Sequence, residues 1–168
     1  MKRCIVIGCP GSGKSTFSMT LCQKTGLPLY HLDMMYWNAD KTTVEKSVFL
    51  ERLSDVLGQD VWIIDGNYAS TMELRMAACD TVLLLDLPLE VCLSGAVSRI
   101  GRERADMPWI EESFDPEFRQ WILDFPRDNL PRIYELIEKY KSEKQIRIFH
   151  TRDEAEEFLS ELSRSATI

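Results

Sequence analysis

No stretch of this 168-residue chain approaches the roughly 18 consecutive apolar residues that a membrane-spanning helix needs, so no span is expected. The apolar run that follows Met1-Lys2-Arg3 ends within a few residues in a glycine-rich stretch, too short for the core of a secretion signal. Cysteine is sparse and unpaired in pattern: Cys4, Cys9, Cys22, Cys79 and Cys92 are odd in number, scattered, and form no C-x-x-C pair. Neither a disulfide framework nor a metal cluster is expected from them, and reduced thiols in a cytoplasmic protein fit better. Positive charge is in deficit. Twenty Lys and Arg against 27 Asp and Glu leave a net charge of −7. Nonspecific nucleic-acid binding runs on Lys and Arg displacing counterions, so strong binding of that kind is not expected. Internal repeats, low-complexity segments and linkers are also missing, and one domain over 1–168 is the expectation.

What is present is alternation. Compact apolar runs at 3–8, 61–66 and 81–87, a weaker one at 28–33 and a more alternating one at 145–150 read as strands. Continuous rather than alternating hydrophobicity predicts strands covered on both faces, as in a parallel sheet. Between them the period changes to 3.6. Phe49, Leu53, Val56 and Leu57 form one stripe, and Leu93, Ala96, Val97 and Ile100 form another. Further stripes are Phe118, Trp121, Ile122 and Phe125; Ile133, Leu136, Ile137 and Tyr140; and Ala155, Phe158, Leu159 and Leu162. All are read as core. Thr42 and Thr151, each with Glu three residues on, read as capping boxes, and Asp115 before Pro116 as a cap before an N1 proline. Gly26 and Pro28 end the first helix, and Pro126 is expected to divide two helices within 116–140. Strand–helix alternation of this kind predicts an α/β doubly wound sheet.

One motif carries chemistry outright. Gly8-Cys9-Pro10-Gly11-Ser12-Gly13-Lys14-Ser15 satisfies G-x-x-x-x-G-K-[ST], after an apolar strand and before a helix. Glycines let the backbone curl so that its N–H groups converge on phosphate oxygens, and the following helix adds its positive end. Lys14 reaches the β- and γ-phosphates and the Ser15 hydroxyl ligates Mg²⁺, so a purine nucleoside triphosphate with Mg²⁺ is the expected ligand. The base-reading Asn-Lys-x-Asp of a GTPase is absent, and Asp55 to Gly58, a D-x-x-G, falls on a predicted helix end. Leu93-Ser94-Gly95-Ala96 lacks the Gly-Gln that would continue a transporter ATPase signature.

A small kinase needs an acid near the metal, an acceptor pocket and a cationic lid. Asp65, ending the third apolar run, is placed to hold Mg²⁺ through water, since a parallel sheet delivers its carboxyl-end side chains to the phosphate site. Asp33, ending the second strand, can accept a hydroxyl proton or fix the acceptor, with Tyr36 and Trp37 to stack on a flat substrate. His31 is read as structural. Arg99, Arg102 and Arg104, around Gly101, form the lid, clamping phosphates with forked charged groups. Arg75 is read either as touching the acceptor or as lying on an exposed helix.

With these residues assembled, the chain resembles the adenylate-kinase-like branch of P-loop phosphotransferases, which includes nucleoside monophosphate, shikimate and gluconate kinases. More closely it is similar to the small bacterial DNA topology modulation proteins. That similarity rests on the phosphate loop, Leu32-Asp33 with Trp37, Asp65-Gly66-Asn67-Tyr68, and Gly101-x-x-Arg104-x-Asp106-Met107. The resemblance implies a P-loop three-layer sandwich around a five-stranded parallel sheet in order 2-3-1-4-5. It places ATP along Gly11 to Thr16, under a short lid at about 99–115. Asn67-Tyr68 replaces the Phe-Pro-Arg of adenylate kinases, and no long cysteine-bearing lid follows Arg104. The expectation is an ATP- and Mg²⁺-dependent phosphotransferase, monomeric or homodimeric. Its acceptor would be a nucleoside, nucleotide or polyol-like small molecule, met by Asp33, Trp37, Asn67, Tyr68 and Arg75. Two alternatives stand beside it: a nucleotide-binding regulator acting on DNA topology, and a standalone ATPase.

Overall fold

The computed structural model describes residues 1–165. Strands β1 (Arg3–Gly8), β2 (Leu29–His31), β3 (Trp62–Asp65), β4 (Thr81–Leu85) and β5 (Gln145–Phe149) form one parallel sheet in the order β2-β3-β1-β4-β5. In β1, β3 and β4 successive residues from Cys4, Trp62 and Thr81 onward are buried, so both faces of the central strands are covered. Alternating polarity would have left one face wet. Because every strand runs the same way, Gly8, His31, Asp65 and Leu85 all arrive at one edge, with His31 beside Asp65 and Gly8 beside Leu85 in register.

The helices are α1 (Lys14–Thr25), α2 (Leu32–Tyr36), α3 (Lys46–Leu57), α4 (Ala69–Ala78), α5 (Leu89–Val97), α6 (Pro116–Asp128), α7 (Leu130–Tyr140) and α8 (Arg152–Ser165). One group, α1 with α8, packs together and onto the sheet; another joins α4 to α7, α7 to α6 and α6 to α5. Several predicted signals act as expected. Asp115 Oδ1 accepts the Phe118 N–H at 2.8 Å, Thr151 Oγ1 accepts the Glu154 N–H at 3.2 Å, and Gly26 closes α1 at φ 70°. Among the described residues no helix is long and apolar enough to cross a membrane.

Other expectations are corrected. The segment predicted as strand through 33 leaves the sheet at His31 and turns into α2, where the Trp37 N–H closes onto the Asp33 carbonyl at 2.9 Å. Leu32 fits because Gly66 has no Cβ; one added there would lie 2.9 Å from the Leu32 Cβ. Thr42 caps no helix. Its N–H and hydroxyl both turn to Asp40 Oδ1, and α3 starts four residues later. Pro126 does not divide α6 from α7; the break falls at Asn129. A proline inside a helix leaves the carbonyl four residues back without its donor. That carbonyl belongs to Ile122, and the Cys9 thiol of the phosphate loop points to it at 4.0 Å. Val97 and Trp121, read as core, are 49% and 42% exposed. α5 stops at Val97, short of Ile100, and the segment 99–115 follows without helix or strand.

Candidate active site

The phosphate loop lies between β1 and α1. Gly11 and Gly13 take φ 84° and 96°, in the left-handed region that favours glycine. Gly11 has a second constraint, since an added Cβ would stand 1.9 Å from the Cys92 carbonyl oxygen of α5. The N-terminus of α1 has no side-chain cap at Gly13, so its first N–H groups remain for an outside acceptor. Lys14 folds back over the loop and donates to the Cys9 carbonyl at 3.2 Å. It is buried, and among the described residues no carboxylate pairs with it. Burial pulls its pKa below the usual lysine value, although Asp65 and Asp33 pull the other way. A buried ammonium on the loop at an uncapped helix N-terminus, with a Ser12 hydroxyl that has no hydrogen-bond partner among the described residues, suits a phosphate chain.

Ser15 and Asp65 suit a hard cation. Asp65 is buried, with Oδ2 at 2.9 Å from His31 Nδ1 and Oδ1 without a hydrogen-bond partner among the described residues. His31, read from the sequence as structural, thus orients the carboxylate. Burial opposes its protonation, but the hydrogen bond and charge of Asp65 outweigh burial and raise its pKa. The Ser15 hydroxyl donates to Asp106 Oδ2 at 2.6 Å. Asp106 also accepts from Arg104 Nε at 3.0 Å and Nη2 at 2.6 Å, while Arg104 Nη1 reaches Glu111 at 2.9 Å. Burial works against ionisation of Asp106, yet the bonds from Arg104 and Ser15 prevail and hold the carboxyl well below its ordinary range. The sequence places Asp106 only in the lid motif, and its role beside Ser15 emerges from the fold. No spacing rule links it to Ser15, 91 positions away.

On the other side of Lys14, Asp33 Oδ1 accepts the Tyr68 hydroxyl at 2.7 Å. Burial raises the Asp33 pKa against the opposing effect of that bond, and it pushes the Tyr68 phenol up strongly. Asn67 is engaged with the phosphate loop. Its Oδ1 accepts the Gly8 N–H at 3.1 Å and its Nδ2 donates to the Gly8 carbonyl at 2.7 Å. Arg75 is neither exposed nor in the cleft. It is 0% exposed and its guanidinium donates to the carbonyls of Gly66 (2.9 Å), Asn67 and Tyr68 (3.2 Å), a brace for the loop carrying Asn67 and Tyr68. Of the three arginines expected to form a lid, Arg104 is tied to Asp106 and Glu111, whereas Arg99 and Arg102 line the cleft with no ion pair among the described residues.

Two cavities flank this centre. One, of about 750 Å³, runs along Gly11, Gly13, Ser15 and Thr16 to Arg102 and Arg152. The second, of about 900 Å³, is walled by Pro10, Lys14, Asp33, Trp37, Asn67 and Tyr68, with Trp109 and Trp121 beyond them. They share Ser15, Arg99, Arg104 and Asp106.

A parallel sheet in this order, with a phosphate loop leaving its central strand and an arginine-bearing segment after α5, defines the P-loop kinase α/β fold. Solved structures agree at the level of fold. A shikimate kinase from Bacteroides thetaiotaomicron superposes with a TM-score of 0.56 at 17% identity, covering 99% of each chain. A gluconokinase from Sinorhizobium meliloti gives 0.54 at 13% identity over 98% of this chain and 89% of that one. A shikimate kinase from Aquifex aeolicus gives 0.51 at 19% identity over 98% of both. No protein-family model matches the sequence, and a search of curated proteins finds no match.

Proposed function

We propose that the protein is an ATP-dependent kinase that transfers the γ-phosphoryl group to a hydroxyl of a small molecule. The observation that carries this reading is the meeting of two cavities at Ser15, Arg99, Arg104 and Asp106, one beside the phosphate loop and one beside Asp33. The loop amides, Lys14 and the hydroxyls of Ser15 and Thr16 hold the triphosphate. Ser15 and Asp65 would hold Mg²⁺, which when bound would offset the negative charge of the phosphates. Asp33 takes the acceptor proton as the acceptor oxygen bonds to the γ-phosphorus. The bond from that phosphorus to the β–γ bridging oxygen breaks, and ADP leaves with the electron pair. Arg99 and Arg102 face the charge that spreads over the moving phosphoryl group.

Shikimate kinase and gluconokinase structures share the fold, which favours a small-molecule acceptor over a macromolecule. The similarity to DNA topology modulation proteins, carried by Asp65 to Tyr68 and the lid, is taken to indicate related phosphotransferases. A net charge of −7 speaks against direct DNA binding. The decisive experiment measures ADP release from Mg²⁺-ATP with a panel of hydroxylated metabolites, for the intact protein and for Lys14→Met. Acceptor-stimulated release that the substitution removes is expected. Equal release with and without every acceptor would replace the kinase by an ATPase.

A further inference from the structure

The walls of the second cavity are aromatic. Ring contacts run from Phe49 through Tyr68 and Tyr36 to Trp37 and on to Trp109 of the lid, with centroids 5.1 to 5.4 Å apart. A second chain joins Phe114, Phe118, Trp121 and Phe125 at 6.0 to 6.3 Å. Both chains line the same cleft, apart from Phe49, which lies behind Tyr36 and Tyr68. Trp121 is 42% exposed, so a large ring on an amphipathic helix faces the open cleft rather than the core. Aromatic side chains lining a cavity suit a planar partner.

Charge narrows the partner further. The cations along this cavity are Lys14, Lys41, Arg99, Arg104 and Arg132. Arg104 is paired with Asp106 and Glu111, and Arg132 with Glu73 and Glu135. Lys14 and Arg99 stand where the phosphoryl group passes. That leaves Lys41, exposed on a turn at φ 67°. Against these stand seven carboxylates, including Asp33, Asp65 and Glu112. An acceptor bearing a phosphate or carboxylate is held best by a forked, unengaged guanidinium. Among the described residues, none lines this cavity away from the seam. A hydroxyl has a partner, because Asp33 Oδ2 takes no hydrogen bond from the described residues.

We infer that the acceptor is a flat aromatic compound carrying a hydroxyl and no anionic group, such as a nucleoside or a pyridine alcohol, rather than a nucleotide or a sugar acid. This rests on the kinase reading of the same cleft and names its substrate class. The built-in probe is fluorescence: of the four tryptophans, Trp62 is buried in β3 and the other three line the cavity.

The intact protein is titrated, without nucleotide, with adenosine, guanosine, cytidine, uridine and pyridoxine, and in parallel with AMP, shikimate and gluconate. At least one uncharged ring compound is expected to quench the fluorescence and to bind at least tenfold tighter than every anionic probe. Its affinity should fall roughly tenfold in Trp37→Ala and in Trp121→Ala, the loss that removing a stacking ring brings. Trp121 is on the surface of α6, so that variant keeps its fold, checked by thermal melting. Tighter binding of AMP, shikimate or gluconate overturns the inference, and so does silence from all five uncharged compounds. A separate Mg²⁺-ATP titration keeps the two readings apart. Nucleotide binding with the wrong acceptor preference defeats only the substrate class, whereas loss of nucleotide binding defeats the kinase.

Discussion

Burial disfavours the charged form of both Lys14 and Asp33, which is common where a group must act on a substrate rather than stabilise a fold. Lys14→Met is therefore expected to leave the melting temperature unchanged or higher while phosphoryl transfer falls by ~10²-fold or more, the scale of losing one preorganised donor. Turnover and thermal melting measured on one preparation check it. Asp33 gives a signed pH prediction. Its folded pKa lies above the ordinary 3.8, so folding favours the neutral carboxyl. The associated stability is complete below about pH 3.8 and is lost as pH rises through the folded value. Asp33→Asn should then melt higher than the parent at pH 7, lose that advantage near pH 3.5, and fail to turn over. The Tyr68 hydroxyl lowers the Asp33 pKa, so Tyr68→Phe should move the acidic limb of the kcat profile to higher pH. A limb that stays in place, or moves down, would remove Asp33 as the proton acceptor.

At the scale of elements, what matters is how the loops at the sheet edge are braced. Arg75 in α4 holds three successive carbonyls of 66–68, and burial lowers its pKa to about 10, so it is still charged at neutral pH. Arg75→Met leaves those carbonyls without donors and should cost about 3 kcal/mol, read from urea unfolding. It should lower kcat as well, because Tyr68 and through it Asp33 lose their support. Gly95 of α5 packs on the phosphate loop, where an added Cβ would sit 2.0 Å from the Gly11 carbonyl oxygen. That neighbour is backbone and cannot rotate away. Gly95→Ala should destabilise by about 1–3 kcal/mol and weaken Mg²⁺-ATP binding, both visible by calorimetry.

Elements governed by local pattern were legible. The buried runs of β1, β3 and β4, the stripes of α3 and α7, and the caps at Asp115 and Thr151 follow directly from residue order. Elements governed by distant partners were not. α2 exists because His31 turns to Asp65 and Leu32 fills the space at Gly66, and neither fact is local. α6 runs past Pro126 although the proline suggested a break, with the released Ile122 carbonyl facing the Cys9 thiol. At the site, the phosphate loop was readable, whereas the Ser15–Asp106 bond and the bracing role of Arg75 depend on folding.

For the whole molecule, ligand binding and charge give the tests. Mg²⁺-ATP at a hundred times its dissociation constant should stabilise the folded protein by about 2.7 kcal/mol. For a chain of this length that is a rise of about 5–10 °C in melting temperature. EDTA should remove most of the gain if Ser15 and Asp65 hold the metal. With 27 Asp and Glu against 20 Lys and Arg in the sequence, duplex DNA should give no salt-sensitive gel shift. The paired cavities bear on kinetics, for the residues they have in common are Ser15, Arg99, Arg104 and Asp106, at the seam where they meet. Direct transfer across that seam needs both ligands bound at once, so initial-rate plots should intersect, without the parallel lines of a ping-pong enzyme. Spent ADP can also stay bound while fresh acceptor arrives, which makes inhibition by excess acceptor an inherent property of the design.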